Sequence, residues 1–181
     1  MESSKSRRDF IKKSIAAGIA IPFLGTSLLA CDTEESKKMK ILILGGTSFL
    51  GPHQIKYALE RGHSVSIFTR GKTKSTVHPE VFDKVEHLIG DRNNNLKALE
   101  TGEWDLVIDN SGQNVKWTTD TAELLKDRVK YYLYISSTGV YYPYLGDHIT
   151  EETVTLTKEP ETLDHPDEKL EYWYGVMKTN S

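Results

Sequence analysis

The segment ILILGGTSFLG occupies residues 41–51 and joins four aliphatic residues to a glycine-rich turn. Four consecutive aliphatic residues are typical of a strand that is buried on both faces of a parallel sheet. Gly45 and Gly46 would let the backbone turn sharply and approach a ligand, and Gly51 would let the next helix pack against the strand. The N–H groups and the positive dipole end at the start of that helix would hold a pyrophosphate. We therefore expect a dinucleotide-binding βα unit.

One position departs from the GxxGxxG spacing of such turns, because Ser48 stands where the middle glycine would be. Serine is small enough to fit there, and its Cβ is expected to displace a bound pyrophosphate slightly. We expect the whole turn to contact the cofactor. The residues concerned are Gly45, Gly46, Thr47, Ser48, Phe49, Leu50 and Gly51.

Beyond this turn, short apolar runs alternate with longer amphipathic ones. The strands are predicted at about 40–44, 64–69, 84–89, 104–109 and 131–136. The helices are predicted from about 52, at about 94–100 and 118–126, and from about 167. Strands that alternate with helices indicate an α/β fold with a parallel sheet covered on both faces. Right-handed crossovers favour a Rossmann-type, doubly wound sheet with the strand order 3-2-1-4-5.

Charge and composition argue against two classes of function. The chain has 23 Lys/Arg and 26 Asp/Glu, of which residues 1–30 hold five and two, so the remainder carries a net charge of −6 with histidine neutral. Binding along a nucleic-acid backbone needs a basic face, so we expect no nucleic-acid partner. The six histidines are scattered, and no His/Cys cluster has the spacing of metal ligands, so we expect no metal.

The first thirty residues resemble an export signal. Arg7 and Arg8 precede FIKK and an interrupted apolar stretch that is too short to span a membrane, a pattern similar to bacterial twin-arginine (Tat) signals. LLAC at residues 28–31 resembles a lipobox, in which the cysteine, here Cys31, is lipidated. We expect the Tat machinery as a partner, a lipid anchor in the membrane, a tether at 31–38 and a periplasmic or cell-envelope location. An uncleaved amphipathic anchor with a chance arginine pair is the alternative.

Two later segments have the residues needed for proton and hydride transfer. YISSTGVY at residues 134–141 ends the fifth predicted strand, at the edge where open α/β sheets bind ligands. Tyr174 and Lys178 are four residues apart and share a helix face. An ammonium group near a phenol helps the phenol to exchange a proton near neutral pH, which beside a nicotinamide suits hydride transfer. The alternative is that Tyr174 belongs to an aromatic packing stripe with Tyr172 and Trp173.

Together these segments resemble the extended short-chain dehydrogenase/reductase family, the NAD-dependent epimerase/dehydratase group, over about residues 39–181. The turn is similar to the GGTGFLG-like turn of that family, and Tyr174 and Lys178 match its YxxxK pair. The resemblance implies that Tyr174 is the acid/base, Lys178 its electrostatic partner and Ser137 the donor to the substrate oxygen. It further implies an NAD(P)-dependent oxidoreductase, epimerase or dehydratase that acts on a sugar or sugar-derived substrate. A non-catalytic NAD(P)-binding sensor or macromolecule-binding module is the alternative.

The resemblance also implies further cofactor contacts. Asp91 matches the residue that usually meets the adenine, and Asn110 and Ser111 stand in the small-residue loop beside the cofactor. Most NAD-preferring sites have an acid at the end of the second strand, where this chain has Arg70 and Lys72. Basic residues there suit a 2′-phosphate, so NADP is favoured over NAD. The alternative is that Arg70 stacks on the adenine or points into solvent.

Two details qualify the resemblance. Ser48 occupies the position of Arg in GGTRFLG turns, and FTRG at residues 68–71 resembles the strand end of the same branch, which includes chloroplast stem-loop-binding proteins. The chain ends three residues past Lys178, whereas the helix with this motif normally continues in the family and another strand follows. We therefore expect a Rossmann domain whose C-terminal part is missing, and oligomerisation is left open.

Overall fold

Five parallel strands form one sheet in the computed structural model, which describes residues 37–143, 146, 148–163 and 165–181. The strands are β1 (Lys40–Leu44), β2 (Ser64–Thr69), β3 (Glu86–Ile89), β4 (Trp104–Asp109) and β5 (Val129–Tyr134). Their order is β3-β2-β1-β4-β5, so the predicted fold class and strand order are confirmed. The predicted export signal, the lipidation of Cys31 and most of the tether lie outside the described residues.

The described part of the chain also contains three α-helices and three short 3₁₀ helices, of which the last of each kind follows β5. The α-helices are α1 (Gly51–Glu60), α2 (Val115–Leu125) and α3 (Pro166–Asn180), and the 3₁₀ helices are Pro79–Lys84, Lys97–Leu99 and Thr138–Tyr141. Helix α2 begins three residues earlier than predicted because Asn114 caps it, its side chain accepting a hydrogen bond of 2.9 Å from the backbone N of Lys116. Within the described residues, no helix is both long enough and apolar enough to cross a bilayer.

The prediction of a helix at about 94–100 is wrong, because only the short 3₁₀ helix at Lys97–Leu99 forms there. The backbones of Asp91 and Asn95 bond to each other at 2.7 and 2.9 Å, and the Asp91 carboxylate accepts a 2.9 Å bond from the backbone N of Asn93. Aspartate and asparagine side chains bond to nearby backbone groups in this way and so compete with helix formation. The result is a tight turn directly after β3.

The core consists of two apolar clusters, one on each face of the sheet, and β1 contributes to both. On one face, the buried residues are Ile41, Ile43, Ile55, Ala58, Val65, Ile67 and Val81. On the other face, they are Leu42, Leu44, Phe68, Leu99, Trp104, Val107 and Leu125. This explains why β1 is uninterruptedly aliphatic: alternate side chains of a central parallel strand enter opposite layers of the core.

Candidate functional site

The carboxyl ends of β1, β4 and β5 lie side by side, because these three strands are neighbours in the sheet. The glycine turn follows β1, the segment with Asn110 and Ser111 follows β4, and the segment with Ser137 follows β5. The topology therefore brings most of the predicted site residues to one edge of the sheet. In open α/β sheets this is the edge at which ligands bind.

The glycine turn is packed so closely that two of its positions exclude a side chain. Gly45 has φ +78°, and a Cβ there would lie 2.6 Å from the Cβ of Ser111. A Cβ on Gly51 would lie 2.2 Å from the carbonyl oxygen of Gly46. Gly45 N also donates a 3.1 Å hydrogen bond to the carbonyl of Phe68 in β2. These contacts explain the two outer glycines of the motif: one allows the turn and the other allows α1 to begin against it.

The tip of the turn is open to solvent. Ser48, Phe49 and Leu50 are all exposed, and Phe49 is 81% accessible. Leu50 is the N-terminal capping residue of α1 but makes no side-chain cap, and no acidic side chain lies in the first turn. Gly51 N donates to the carbonyl of Ser48 and Pro52 has no N–H, so this first turn offers an anion mainly the positive end of the helix dipole. Because Ser48 is exposed, its side chain leaves the packing beneath the turn undisturbed.

The predicted cofactor residues Asn110 and Ser111 fix the loop after β4 beneath this turn. The side-chain amides of Asn110 and Gln54 bond to each other twice, at 2.6 and 3.3 Å, which ties the loop to α1. Ser111 is the residue with which a Cβ added at Gly45 would clash. Asn110 and Ser111 therefore hold the glycine turn in position whether or not they also touch a cofactor.

Arg70 and Asp91 lie at the ends of β2 and β3, as predicted. A cavity of about 250 Å³ opens between these ends and α2, and its walls are Phe68, Thr69, Arg70, Gly90, Arg92, Ser111, Gln113 and Trp117. The hydrogen bond from the backbone N–H of Asn93 lowers the pKa of Asp91 below its usual value, and the positive charges of Arg70 and Lys72 act in the same direction. The two basic residues are thus close enough to this carboxylate to influence it.

A buried ion pair at the same edge was missed by the sequence reasoning. Arg92 and Asp109 have side chains that are 5% and 0% accessible, and they bond through two contacts of 2.5 and 2.8 Å. The Tyr132 hydroxyl donates to Asp109 at 2.8 Å, and the backbone N of Ser111 donates at 3.0 Å. Burial and the adjacent carboxylate raise the pKa of Tyr132, so this hydroxyl keeps the proton that it donates. The signal in the sequence was an aspartate directly after the apolar residues at 106–108 of β4.

Ser137 and Tyr174 both lie beside Gly139, where α3 packs against the 3₁₀ helix at Thr138–Tyr141. A Cβ on Gly139 would lie 3.2 Å from the Tyr174 ring and 3.4 Å from the Ser137 hydroxyl. Ser137 Oγ accepts a 3.1 Å bond from the Gly139 N, which leaves its hydroxyl hydrogen available to another acceptor. A Cβ on Gly175 would meet the Gly139 carbonyl oxygen at 2.4 Å, so glycine at both positions allows this approach.

Lys178 is almost fully buried at this junction, with 7% of its surface accessible. Its ammonium group donates a 3.0 Å hydrogen bond to the carbonyl of Ile135, just past the end of β5. The same nitrogen lies 4.8 Å from the ring centre of Tyr134 and 5.8 Å from that of Tyr174. A positive charge is therefore held between the end of β5 and the predicted proton-transfer residue.

The three aromatic residues at 172–174 have different surroundings. Tyr172 packs edge-to-face on Tyr142, with ring centres 4.9 Å apart. Trp173 is 46% accessible, and Tyr174 lies beside Gly139. The alternative of one common packing stripe does not describe this arrangement. Among the described residues, no group of three or more histidine, cysteine, aspartate or glutamate side chains is placed to hold a metal ion.

Comparison with known proteins places this geometry in context. The model of the NAD dependent epimerase/dehydratase family matches residues 41–165, a range that contains the glycine turn and Ser137 and ends before Tyr174. The chloroplast stem-loop binding protein of 41 kDa b from Arabidopsis thaliana is 32% identical over 118 residues, covering 59% of this chain and 31% of that protein.

Solved structures share the fold at low identity. Vestitone reductase from alfalfa superimposes with a TM-score of 0.59 at 19% identity, covering 79% of this chain and 51% of that one. UDP-glucose 4-epimerase from Bifidobacterium longum, in complex with NAD⁺ and UDP, superimposes with a TM-score of 0.57 at 22% identity, covering 77% of this chain and 46% of that one. The Bordetella bronchiseptica enzyme WbmG in complex with NAD superimposes with a TM-score of 0.56 at 19% identity, covering 80% of this chain and 48% of that one. The present chain thus spans about half or less of the length of each of these proteins.

Proposed function

Because this chain belongs to the NAD-dependent epimerase/dehydratase family, we propose that it binds NAD(P) and acts as an oxidoreductase, epimerase or dehydratase on a sugar or sugar-derived substrate. The observation that carries the proposal is that Ser137 and Tyr174 both lie beside Gly139, with the buried ammonium of Lys178 5.8 Å from the ring centre of Tyr174. They lie at the same edge of the sheet as the glycine turn. Reversible carbinol oxidation has two requirements: a dinucleotide, which the glycine turn would hold, and a proton donor and acceptor, which Tyr174 would supply.

The glycine turn fits a dinucleotide. The absence of Cβ atoms at Gly45 and Gly51 keeps the turn close to the sheet, and the positive end of the α1 dipole at this turn would attract a pyrophosphate. Gly45, Gly46 and Thr47 would form the floor of this cradle, and Ser48, Phe49 and Leu50 would form its exposed rim. A bound nicotinamide would supply the hydride acceptor and donor.

The chain's own residues would handle the proton. We propose that Tyr174 takes the hydroxyl proton of the substrate as the carbinol carbon is oxidised and returns it on reduction. Ser137 donates its free hydroxyl hydrogen to the same substrate oxygen. The buried ammonium of Lys178 stabilises negative charge as it develops on Tyr174. Return of the hydride to the opposite face would give epimerisation, and elimination before its return would give dehydration.

A matched pair of variants on α3 tests this assignment. Tyr174→Phe should reduce the formation of NADH or NADPH at 340 nm, with UDP-glucose as the first probe, by about 10²–10⁴-fold, the usual contribution of a general acid or base. Tyr172→Phe also removes a phenolic hydroxyl, two residues away on a ring that packs on Tyr142, and should retain the wild-type rate. Equal turnover by Tyr174→Phe and the wild type would overturn the role of Tyr174.

We propose NADP as the preferred dinucleotide. Arg70 and Lys72 follow β2 where an NAD-preferring site would have an acid, and Arg70 lines the cavity between β2, β3 and α2. Titration with NADPH and with NADH should show tighter binding of NADPH. Arg70→Ala should remove this preference by weakening NADPH alone. Tighter NADH binding by the wild type would reverse the assignment.

A second candidate is a nucleotide-binding module without turnover that binds another macromolecule. The stem-loop-binding relative favours it, because the sequences are 32% identical over 118 residues. The net charge of −6 after residue 30 disfavours extensive contact with a phosphate backbone. Dinucleotide binding without turnover of any sugar nucleotide, together with retention of a stem-loop RNA in a gel-shift assay, would favour this candidate over the enzyme.

We propose further that the chain is exported by the Tat route and anchored through a lipid on Cys31. The Arg7-Arg8 pair and the LLAC segment support this proposal. A Tat substrate is exported folded, which would allow the dinucleotide to be loaded beforehand. Replacement of both arginines by lysine should keep the protein in the cytoplasm, and Cys31→Ser should abolish incorporation of labelled palmitate. Unchanged localisation or labelling would overturn the corresponding part.

A further inference from the structure

Arg92 connects the ends of two strands that are not neighbours in the sheet. It follows β3 at the edge of the sheet, whereas its partner Asp109 ends β4, and β2 and β1 lie between them. At ordinary strand spacing this separation is about 14 Å. The Arg92 side chain and the turn to which it belongs therefore reach across the carboxyl ends of the central strands, the edge at which the glycine turn also lies.

The bonds of Arg92 lead to the glycine turn. One terminal nitrogen of its guanidinium bonds both to Asp109 and to the hydroxyl of Ser111, the latter at 3.0 Å. The backbone N of Ser111 bonds in turn to Asp109. Ser111 is thus held through its side chain and its backbone, and its Cβ fills the space that only glycine leaves at position 45. A displacement of Ser111 would be transmitted directly to Gly45.

The burial of this network makes its geometry well defined. The Asp109 carboxylate has no accessible surface and receives four hydrogen bonds, from Arg92, Tyr132 and Ser111. Removing the charge of one partner leaves the other uncompensated in a poorly solvated place. Arg92 also lines the cavity beside Gly90, and its Nε has no hydrogen-bond partner among the described residues.

We propose that Arg92 is a positioning residue of the dinucleotide site, which acts through Ser111 to hold the loop after β4 against Gly45. The inference rests on the proposed dinucleotide binding. A guanidinium is required because one planar group must bond to a carboxylate through two nitrogens and to a hydroxyl at the same time. A lysine ammonium at position 92 preserves the charge and loses this geometry.

A double-mutant cycle on the full chain tests the proposal, with NADH fluorescence reporting the dissociation constant and thermal melting reporting stability. Arg92→Lys and Ser111→Ala should each weaken NADH binding about tenfold, as expected for the loss of a buried charged hydrogen bond. The double variant should bind NADH no more weakly than whichever single variant binds it less tightly. The reason is that both changes interrupt the same connection, from Arg92 through Ser111 to Gly45. Ser111→Ala leaves the Arg92–Asp109 pair intact, so it should melt close to the wild-type temperature.

Arg128→Lys is the matched control. Arg128 is also a structural arginine, bonding to the carbonyls of Leu99 and Leu124, but it precedes β5 at the opposite end of the sheet. This variant should melt at a lower temperature and bind NADH with wild-type affinity. If Arg92→Lys behaves in the same way, or if the two changes in the cycle are additive, the positioning role is wrong. Failure of the wild-type chain to bind either NADH or NADPH would overturn the proposed function and this inference together.

Discussion

Strand β4 has an aspartate near each end, and each forms an ion pair with a basic side chain, one exposed to solvent and the other buried. Asp105, near the amino end, bonds to Lys130 at 2.5 Å, and these side chains are 20% and 63% accessible. Asp109, at the carboxyl end, bonds to Arg92 at the same shortest distance, and these are 0% and 5% accessible. Distance alone therefore says little about either pair. Burial separates them, and the buried pair is the one at the candidate site.

The physical reason is the cost of removing charge from water. An accessible pair gains little, because water and salt screen the attraction and two long side chains lose freedom. A buried pair must recover the desolvation of both charges through good geometry and additional hydrogen bonds, and it becomes very sensitive to the loss of one partner. We therefore expect the carboxyl end of β4 to be sensitive to substitution of its aspartate and the amino end to be tolerant.

The largest expected effect is from Asp109→Ala. It leaves the Arg92 guanidinium buried without a counter-charge and removes the acceptor of Tyr132 and of the Ser111 backbone. We expect the free energy of unfolding to fall by about 3–5 kcal/mol, measured by urea denaturation. Asp105→Ala, on the same strand, is the control and should be far milder. Equal losses for the two variants would remove the distinction between the two ends.

Helix α1 offers the next test, with a glycine in its first turn and another just past its end. Gly51→Ala places a Cβ 2.2 Å from a backbone oxygen and should cost about 1–3 kcal/mol and weaken NADH binding. Gly62→Ala meets nothing closer than 3.6 Å, so its cost, about 1 kcal/mol, comes from φ +78° alone. NADH titration and urea denaturation check both. Loss of NADH affinity in Gly62→Ala would contradict a local role for Gly51.

A smaller effect is expected from Tyr132→Phe, which removes one of the four donors to Asp109 and leaves the Arg92 pair intact. The loss in unfolding free energy should be about 1–2 kcal/mol at pH 7. Because the pKa of Tyr132 is raised in the folded state, its contribution is complete below its ordinary value of 10.0 and is lost as the pH rises above it. The difference between the wild type and Tyr132→Phe should therefore narrow in alkaline solution. A constant difference from pH 7 to 11 would argue against the linkage.

The smallest effect is expected from Lys130→Met. The hydrogen bond from Lys130 lowers the pKa of Asp105, so this contribution to stability is present above the ordinary value of 3.8 and is lost as the pH falls below it. The difference in urea midpoint between the wild type and Lys130→Met should be slight at pH 7, smaller in high salt and absent in strong acid. A difference at pH 7 as large as that of Asp109→Ala would show that exposure does not govern these pairs.

Much of the fold could be predicted because its signals are local. The aliphatic run before Gly45 indicated a strand buried on both faces, and the alternation of strands with helices restricted the sheet to a few strand orders. The prediction of a helix at about 94–100 failed for a reason that is also local: the Asp91 carboxylate accepts hydrogen bonds from the backbone N and the side-chain amide of Asn93, and hydrophobic periodicity does not report that competition. The start of α2 lies three residues before the predicted one because the Asn114 side chain caps the helix there.

The Arg92–Asp109 pair could not be found in the same way. Arg92 lies in the polar segment GDRNNN, which has the composition of a solvated turn. Its burial depends on how the chain crosses the ends of β1 and β2. Tyr132 gave no signal either, because an aromatic residue in a strand is ordinarily explained by packing.

The amino-acid sequence by itself determined the parallel α/β architecture, the close-packed glycine turn after β1 and the common helix face of Tyr174 and Lys178. Each of these follows from steric rules or periodicities that act within a few residues. Only the tertiary structure decided which charges are buried, that Arg92 reaches Asp109 across the sheet edge, and that Gly139 and Gly175 bring α3 against Ser137. Burial is a property of the assembled layers: identical ion pairs differ in energy according to the water that the surrounding chain excludes.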